Sequence, residues 1–156
     1  MSKSLNRVIR ALADAGLMIT PLELGPETRT AQQAADAAGC ARDQIAKSVI
    51  FAGQDTGQAI LFITAGGNQV DPAKASALAG EPLGKADAAL IRAQTGFAIG
   101  GVAPVGHLTP IRGFFDRRLC DFAVIYAAAG TPRHIFPITP ADLIRISGAQ
   151  LSDFTT

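Results

Sequence analysis

The chain has no tryptophan, one tyrosine, two histidines and two cysteines in 156 residues, and each scarcity removes a class of function. Cys40 and Cys120 are too few for a disulfide scaffold and show no metal-ligand spacing; both are expected to stay reduced, as in the cytoplasm. No His/Cys/Asp/Glu cluster in the sequence offers a metal centre, and no cofactor fingerprint is found. Charge of one sign is not in excess either. Fourteen basic against thirteen acidic residues leave a net charge of +1. A protein that holds long DNA or RNA neutralises phosphates with a basic surplus, so that class is set aside. A protein that handles only the end of an RNA is compatible with the balance. No apolar run approaches a membrane span, and the start, Met1-Ser2-Lys3-Ser4, leads into an amphipathic pattern rather than a signal peptide. The expectation is a cytoplasmic protein without membrane contact.

What the chain does have is small and apolar: 48% of residues are hydrophobic and 16 are glycine. With no repeat, linker or low-complexity segment, residues 1–156 are expected to form one domain with a sizeable core. Leu5, Val8, Ile9 and Leu12 share one helix face, which Gly16 terminates. Leu17 to Leu24 reads as a strand, at an edge because of Pro21. Thr30 caps a helix running to Ala38, whose inner face is Ala31, Ala34, Ala35 and Ala38. Ile45 to Phe51 and Gln58 to Thr64 read as paired strands across the loop Gly53 to Gly57. Asp71-Pro72 opens a helix that ends near Gly80, and another is expected from Lys85 to Thr95 with Ala89, Leu90 and Ala93 inward. Pro110 to Phe115 and Phe122 to Ala128 read as strands flanking Asp116-Arg117-Arg118, with Cys120 in the core between them. His134 to Pro137 is a short strand, and Thr139-Pro140 opens a last helix stopped by Gly148. This order describes an α+β fold, a mixed and mainly antiparallel curved sheet dressed by helices.

The most distinctive stretch is Gly96-Phe97-Ala98-Ile99-Gly100-Gly101-Val102-Ala103-Pro104-Val105-Gly106-His107, read as an apolar strand running into a bare, stiff loop. Adjacent glycines let a ligand approach the backbone, and the proline fixes φ. The loop is either a ligand cradle or a tight turn between strands. It lacks the Lys-Ser/Thr of a phosphate-binding P-loop and the helix of a dinucleotide fingerprint. Lys47 shares a strand face with Ile45, Val49 and Phe51, so its ammonium either snorkels to water or meets an anion in a cleft. Of the histidines, His107 is the better candidate because it borders the glycine loop; a satisfied loop histidine is the plainer reading for both. Ser48 alternates to the face opposite Lys47, and no Ser-His-Asp constellation can be assigned.

Four stretches in register carry a resemblance: Thr28-Arg29-Thr30-Ala31 with Ala34-Ala35, Gln44 to Phe51, Gly100 to His107, and Ala128-Ala129-Gly130-Thr131-Pro132. Over about residues 5 to 150 the chain resembles the YbaK/EbsC or ProX family, free-standing relatives of the prolyl-tRNA synthetase editing domain. The resemblance implies a compact, barrel-like mixed sheet surrounded by helices, and no cofactor. It implies hydrolysis of the ester between a wrong small amino acid (alanine, serine, threonine, cysteine or 2-aminobutyrate) and tRNA, above all tRNA(Pro). The implied partners are the acceptor end of aminoacyl-tRNA and, transiently, prolyl-tRNA synthetase. By position, Lys47 matches the lysine that holds the 3′ end of the tRNA. Gly101 matches the glycine whose backbone positions the aminoacyl group and the attacking water. Ala129, Gly130 and Thr131 match a pocket wall, and Ala31 and Ala34 leave room for the side chain. Thr30, Gly100, Val102, Pro104, Gly106 and His107 complete the expected substrate-binding set.

A poor inventory of catalytic side chains suits this reaction. An aminoacyl ester is already activated, and the neighbouring ribose hydroxyl and α-amine can assist attack from within the substrate. One placed oxyanion donor is worth about 10²–10³ in rate, and proximity adds to it. A synthetase pocket separates ligands differing by one methylene by only about 1–3 kcal/mol, which is why a second sieve is needed. The alternative is a non-catalytic module that binds an aminoacyl-adenosine or amino-acid ligand in the same cleft. A generic ester hydrolase is third, and the missing triad counts against it.

Overall fold

The computed structural model describes residues 2–156. In chain order it runs α1 (Lys3–Asp14), β1 (Leu22–Glu23), α2 (Ala31–Ala38), β2 (Ile45–Gly53), β3 (Ala59–Ala65), α3 (Pro72–Ala79), β4 (Leu83–Lys85) and α4 (Ala88–Thr95). There follow β5 (Arg112–Asp116), β6 (Ile125–Ala128), β7 (His134–Ile138), α5 (Pro140–Ser147) and β8 (Gln150–Ser152). Short 3₁₀ turns at Arg42–Gln44 and Arg117–Asp121 precede β2 and follow β5. No helix among the described residues is long and apolar enough to cross a membrane.

Local chemistry accounts for the helix limits. The Oγ1 of Thr30 accepts from the Gln33 amide while the Gln33 side chain accepts from the Thr30 amide, a reciprocal capping box that starts α2. Asp71 accepts from Ala73 and Lys74, Asp87 from Leu90, and Thr139 from Asp142, so α3, α4 and α5 begin at capped residues. The Asp87 cap is also why the fourth helix starts at Ala88. Lys85 instead pairs with Phe51 in β4, and the inward positions are Ile91 and Thr95 with Leu90 packed half-buried against the core as expected, leaving Ala89 and Ala93 exposed.

The strands form one sheet of order β1-β7-β6-β2-β3-β5-β8, with β4 pairing β2 beside that path. Pairs β1/β7, β2/β3, β2/β4 and β6/β7 are antiparallel; β2/β6, β3/β5 and β5/β8 are parallel. The sheet is mixed and mostly antiparallel as expected, but it does not close into a barrel: β1 and β8 end it. The expected strand over Leu17 to Leu24 contracts to two residues on that outer edge, because Pro21 offers no N–H to a ladder. The stretch from Gly96 to Ile99 forms no strand and runs as an irregular loop. Strand β6 starts at Ile125 rather than Phe122, and Cys120 is exposed on a 3₁₀ turn, not in the core.

Every residue of β3 is buried, as its unbroken run Ala-Ile-Leu-Phe-Ile-Thr-Ala requires for a central strand covered on both faces. One face, through Leu61 and Ile63, meets α1 (Leu5, Val8, Leu12), Phe97, Phe115 and Phe136. The other, through Ile60 and Phe62, meets α3 and Phe154, with Phe62 stacked on Phe114 at 5.3 Å. Each large side chain so buried contributes about 1.5–3 kcal/mol. A third, smaller cluster holds α2 over the sheet through Ala34, Ala35, Ile45, Leu24 and Ile135. The main core and this small cluster lie on opposite faces of β2, and the site sits between them.

Candidate functional site

Strand β2 is fully paired with β3 along one edge, but only intermittently along the other. There β6 pairs Ile45 and Ala46, β4 pairs Phe51 to Gly53, and Lys47 to Ile50 have no neighbouring strand. A cleft of about 500 Å³ lies in this notch, within the range of small-molecule sites. It wraps the open edge and so collects residues from both faces of β2. One wall is the start of α2 (Thr30, Ala31, Ala34), another is Ile99, Gly100 and Val102 of the glycine loop, and a third is Ala128, Thr131 and His134.

Lys47 lies in this cleft, half-buried, and its Nζ donates to the Asn68 carbonyl at 2.7 Å. That carbonyl belongs to a turn fixed by Asp116, which accepts from the Ala65 amide at 3.0 Å, the Asn68 side chain at 2.9 Å and the Arg118 amide at 3.0 Å. Asp43 ties down the same turn by accepting from the Gly67 amide at 2.8 Å and from Arg118 Nε at 3.0 Å. Burial and then the Arg42 guanidinium push the Lys47 ammonium below the ordinary lysine range, against the pull of Asp116 and Asp43. The Asn68 bond leaves further N–H directions on the ammonium for a ligand. Arg29 and Lys85 also line the cleft, and no Asp or Glu does. In a chain whose charges nearly cancel, that is a local cationic bias suited to an anion.

The glycine loop divides. Gly100 and Val102 face the cleft, and their amides find no acceptor within the described residues. Gly101 between them is buried and donates to the Ala98 carbonyl at 3.1 Å. Its lack of a side chain serves packing: a Cβ there would lie 2.8 to 3.0 Å from the backbone of Thr131 and Pro132. Gly130, at φ +93°, is likewise pressed against the Ser4 carbonyl and the Phe97 ring. Ala129 and Gly130 are buried behind the wall that Thr131 completes. Pro104, Gly106 and His107 line a separate hollow with α1 and α5 instead of this cleft. His107 is satisfied there, its Nε2 paired with the Ala103 carbonyl at 2.7 Å and its ring edge-on to Phe97.

Two cleft residues escape the sequence argument. His134 rather than His107 lines the cleft; its Nδ1 meets Thr131 Oγ1 at 2.6 Å and its Nε2 lies 3.9 Å from Glu23. Thr131 Oγ1 also accepts from the Arg133 amide at 3.2 Å, and which partner of the Thr131–His134 bond donates is set by the His134 tautomer. The Thr131–His134 spacing across a Gly-Thr-Pro turn was the available signal. Ser48 is the other. Strand alternation does point it away from Lys47, yet the cleft spans both faces of the open edge and includes it. Its Oγ is buried with no hydrogen-bond partner, alone in this among the described residues, and such an atom calls for an explanation.

Comparisons with known proteins bear on the family and the fold. The sequence profile of the aminoacyl-tRNA editing domain matches residues 25–146. The uncharacterised protein YwhH of Bacillus subtilis is 30% identical over 129 residues, covering 83% of this chain and 82% of that protein. The crystal structure of a candidate trans-editing enzyme for prolyl-tRNA synthetase superposes with a TM-score of 0.93 at 43% identity, covering 100% of this chain and 99% of the other. The hypothetical protein APE2540 superposes with a TM-score of 0.86 at 26% identity over 96% of this chain and 99% of its own.

Proposed function

Because the chain belongs to the aminoacyl-tRNA editing-domain family, we propose that it is a free-standing deacylase. On this reading it hydrolyses the ester of a mischarged small amino acid (alanine, serine, threonine, cysteine or 2-aminobutyrate) on tRNA, foremost tRNA(Pro), in the cytoplasm. The observation that carries the reading is one cleft lined by a lysine, by no acid, and by Gly100 and Val102, whose amides have no acceptor among the described residues. Lys47, with Arg29 and Lys85 nearby, receives the phosphates of the RNA end. The amides of Gly100 and Val102, free of any acceptor in the described residues, receive the ester oxygen as it becomes an oxyanion. The two sets of contacts fix the scissile bond from both sides, and the substrate's own ribose hydroxyl assists the water. Ala31 and Ala34 bound the space for the amino-acid side chain, and their small size leaves room for it. The Ser48 hydroxyl and the Thr131–His134 pair supply the polar contacts near the ester. Binding engages the acceptor end alone, consistent with the near-neutral charge, and brings the protein transiently alongside prolyl-tRNA synthetase.

The test is release of amino acid from tRNA(Pro) charged with each of the five amino acids. Release from at least one is expected, and Lys47→Ala should reduce turnover by about 10²-fold or more, the scale of a lost positioning contact. Folded protein that releases none of the five would overturn the reading.

A further inference from the structure

The glycine loop springs from two feet, Thr95 at the end of α4 and Gly106 ahead of β5, and Arg7 of α1 is bonded to both. Its Nε donates to the Gly106 carbonyl at 2.7 Å and its Nη2 to the Thr95 carbonyl at 3.3 Å. Between these bonds the guanidinium carbon lies 4.4 Å from the centre of the Phe97 ring, which is wholly buried. A main-chain bond from the Leu108 amide to the Thr95 carbonyl, 3.2 Å, closes the same base. Gly96 makes the room, since a Cβ there would sit 2.5 Å from Arg7 Nη2. Arg7 takes part in none of the ion pairs among the described residues. Its guanidinium is therefore committed to the loop and to Phe97, and not to a carboxylate. A planar fork can hold two carbonyls and cover a ring at once, which a lysine ammonium cannot.

We propose that Arg7 is a positioning residue for the deacylation: by clamping both feet of the loop it holds Gly100 and Val102, and with them their unbonded amides, in place on the wall of the cleft, which Arg7 itself does not line. The inference rests on the deacylase reading for its kinetic consequence. Oxyanion donors act through preorganisation, so slack at the feet of the loop reaches the ester as misaligned amides. The RNA end is held elsewhere, at Lys47, and should bind as before.

Arg7→Met keeps an unbranched stem over Phe97 and removes every donor; Arg7→Lys keeps the charge and one donor direction. In the Met variant kcat on mischarged tRNA should fall about 10-fold or more while KM moves less than about threefold. Hydrogen exchange should speed up at the bonded amides of Gly101 and Leu108 and stay unchanged in β2 and β3. The Lys variant should recover the melting temperature and only part of kcat. A Met variant with kcat within about twofold of the parent would overturn the proposal, as would exchange that rises equally through β2 and β3. If the parent protein releases no amino acid at all, the deacylase reading fails on its own, and the exchange comparison still decides the clamp.

Discussion

Replacing Gly101 by alanine tests how tightly the loop and the Ala129–Pro132 turn are coupled. The added Cβ would lie 2.8 Å from the Thr131 carbonyl carbon, 2.9 Å from its Cα and 3.0 Å from Pro132 N. Those atoms are backbone, so no rotamer change relieves the contact; one of the two turns must retreat by several tenths of an ångström. Overpacking of this kind costs about 1–3 kcal/mol, which for a chain of this length lowers the melting temperature by roughly 2–12 °C at about 2–4 °C per kcal/mol. The same retreat displaces Gly100 and Val102 on one side and Thr131 on the other, all of them cleft residues. A shift approaching 1 Å costs about 10²-fold in rate. Calorimetry and single-turnover deacylation of mischarged tRNA(Pro) measure the two effects side by side. Gly148→Ala is the control, because Gly148 lies outside the cleft, its Cβ meets nothing within 4 Å and only the φ of +68° is strained. Gly101→Ala protein that melts with the parent and turns over within about twofold of it would refute the coupling.

Ser48→Ala removes a buried hydroxyl that has no partner. It should leave stability unchanged or raise it by about 1 kcal/mol while deacylation falls; a lowered melting temperature would show that the hydroxyl is bonded in the free protein. Burial, the larger influence, pushes His107 below the usual histidine range, outweighing its bond to the Ala103 carbonyl, and Arg7 adds to the lowering. The unfolded chain therefore takes up this proton first. Stability should be complete above the ordinary histidine value of about 6.5, fall as pH drops below it and level off beneath the folded pKa. Thermal melts across pH 4 to 8 should show this slope, and His107→Gln should flatten it. Asp116→Ala strands the buried Ala65 amide, at about 1–3 kcal/mol, and frees the turn that presents the Asn68 carbonyl to Lys47. Deacylation should then lose its dependence on Lys47, so that a double variant with Lys47→Ala is little worse than Asp116→Ala alone.

Much of the fold was legible because its signals are local. Thr30, Asp71 and Thr139 carry the side-chain oxygen that starts a helix, and Gly39, Gly80, Gly96 and Gly148 supply the left-handed residue that ends one. The pairing of β2 with β3 followed from two apolar runs around a turn-forming loop. Misreadings fell where a local pattern has two outcomes. Alanines such as Ala89 and Ala93 suit either face of a helix, so their spacing could not orient α4. The apolar stretch Gly96 to Ile99 has strand composition, yet Arg7 and Phe97 hold it as a loop. Strand β8 is a parallel addition to β5 from the far end of the chain, which no neighbouring residues announce.

By itself the sequence determined the helices, the central hairpin, the bare glycine loop and an isolated lysine on an apolar strand, since each depends on residues a few positions apart. Tertiary structure alone decided that β2 keeps four residues of open edge, because that depends on where β4 and β6 stop, and they arrive from distant parts of the chain. The open edge merges the two faces of the strand into one cleft. It thereby places Ser48 with Lys47, brings His134 in and leaves His107 out. Alternation along a strand predicts faces, whereas a site at a strand's edge is shared by both.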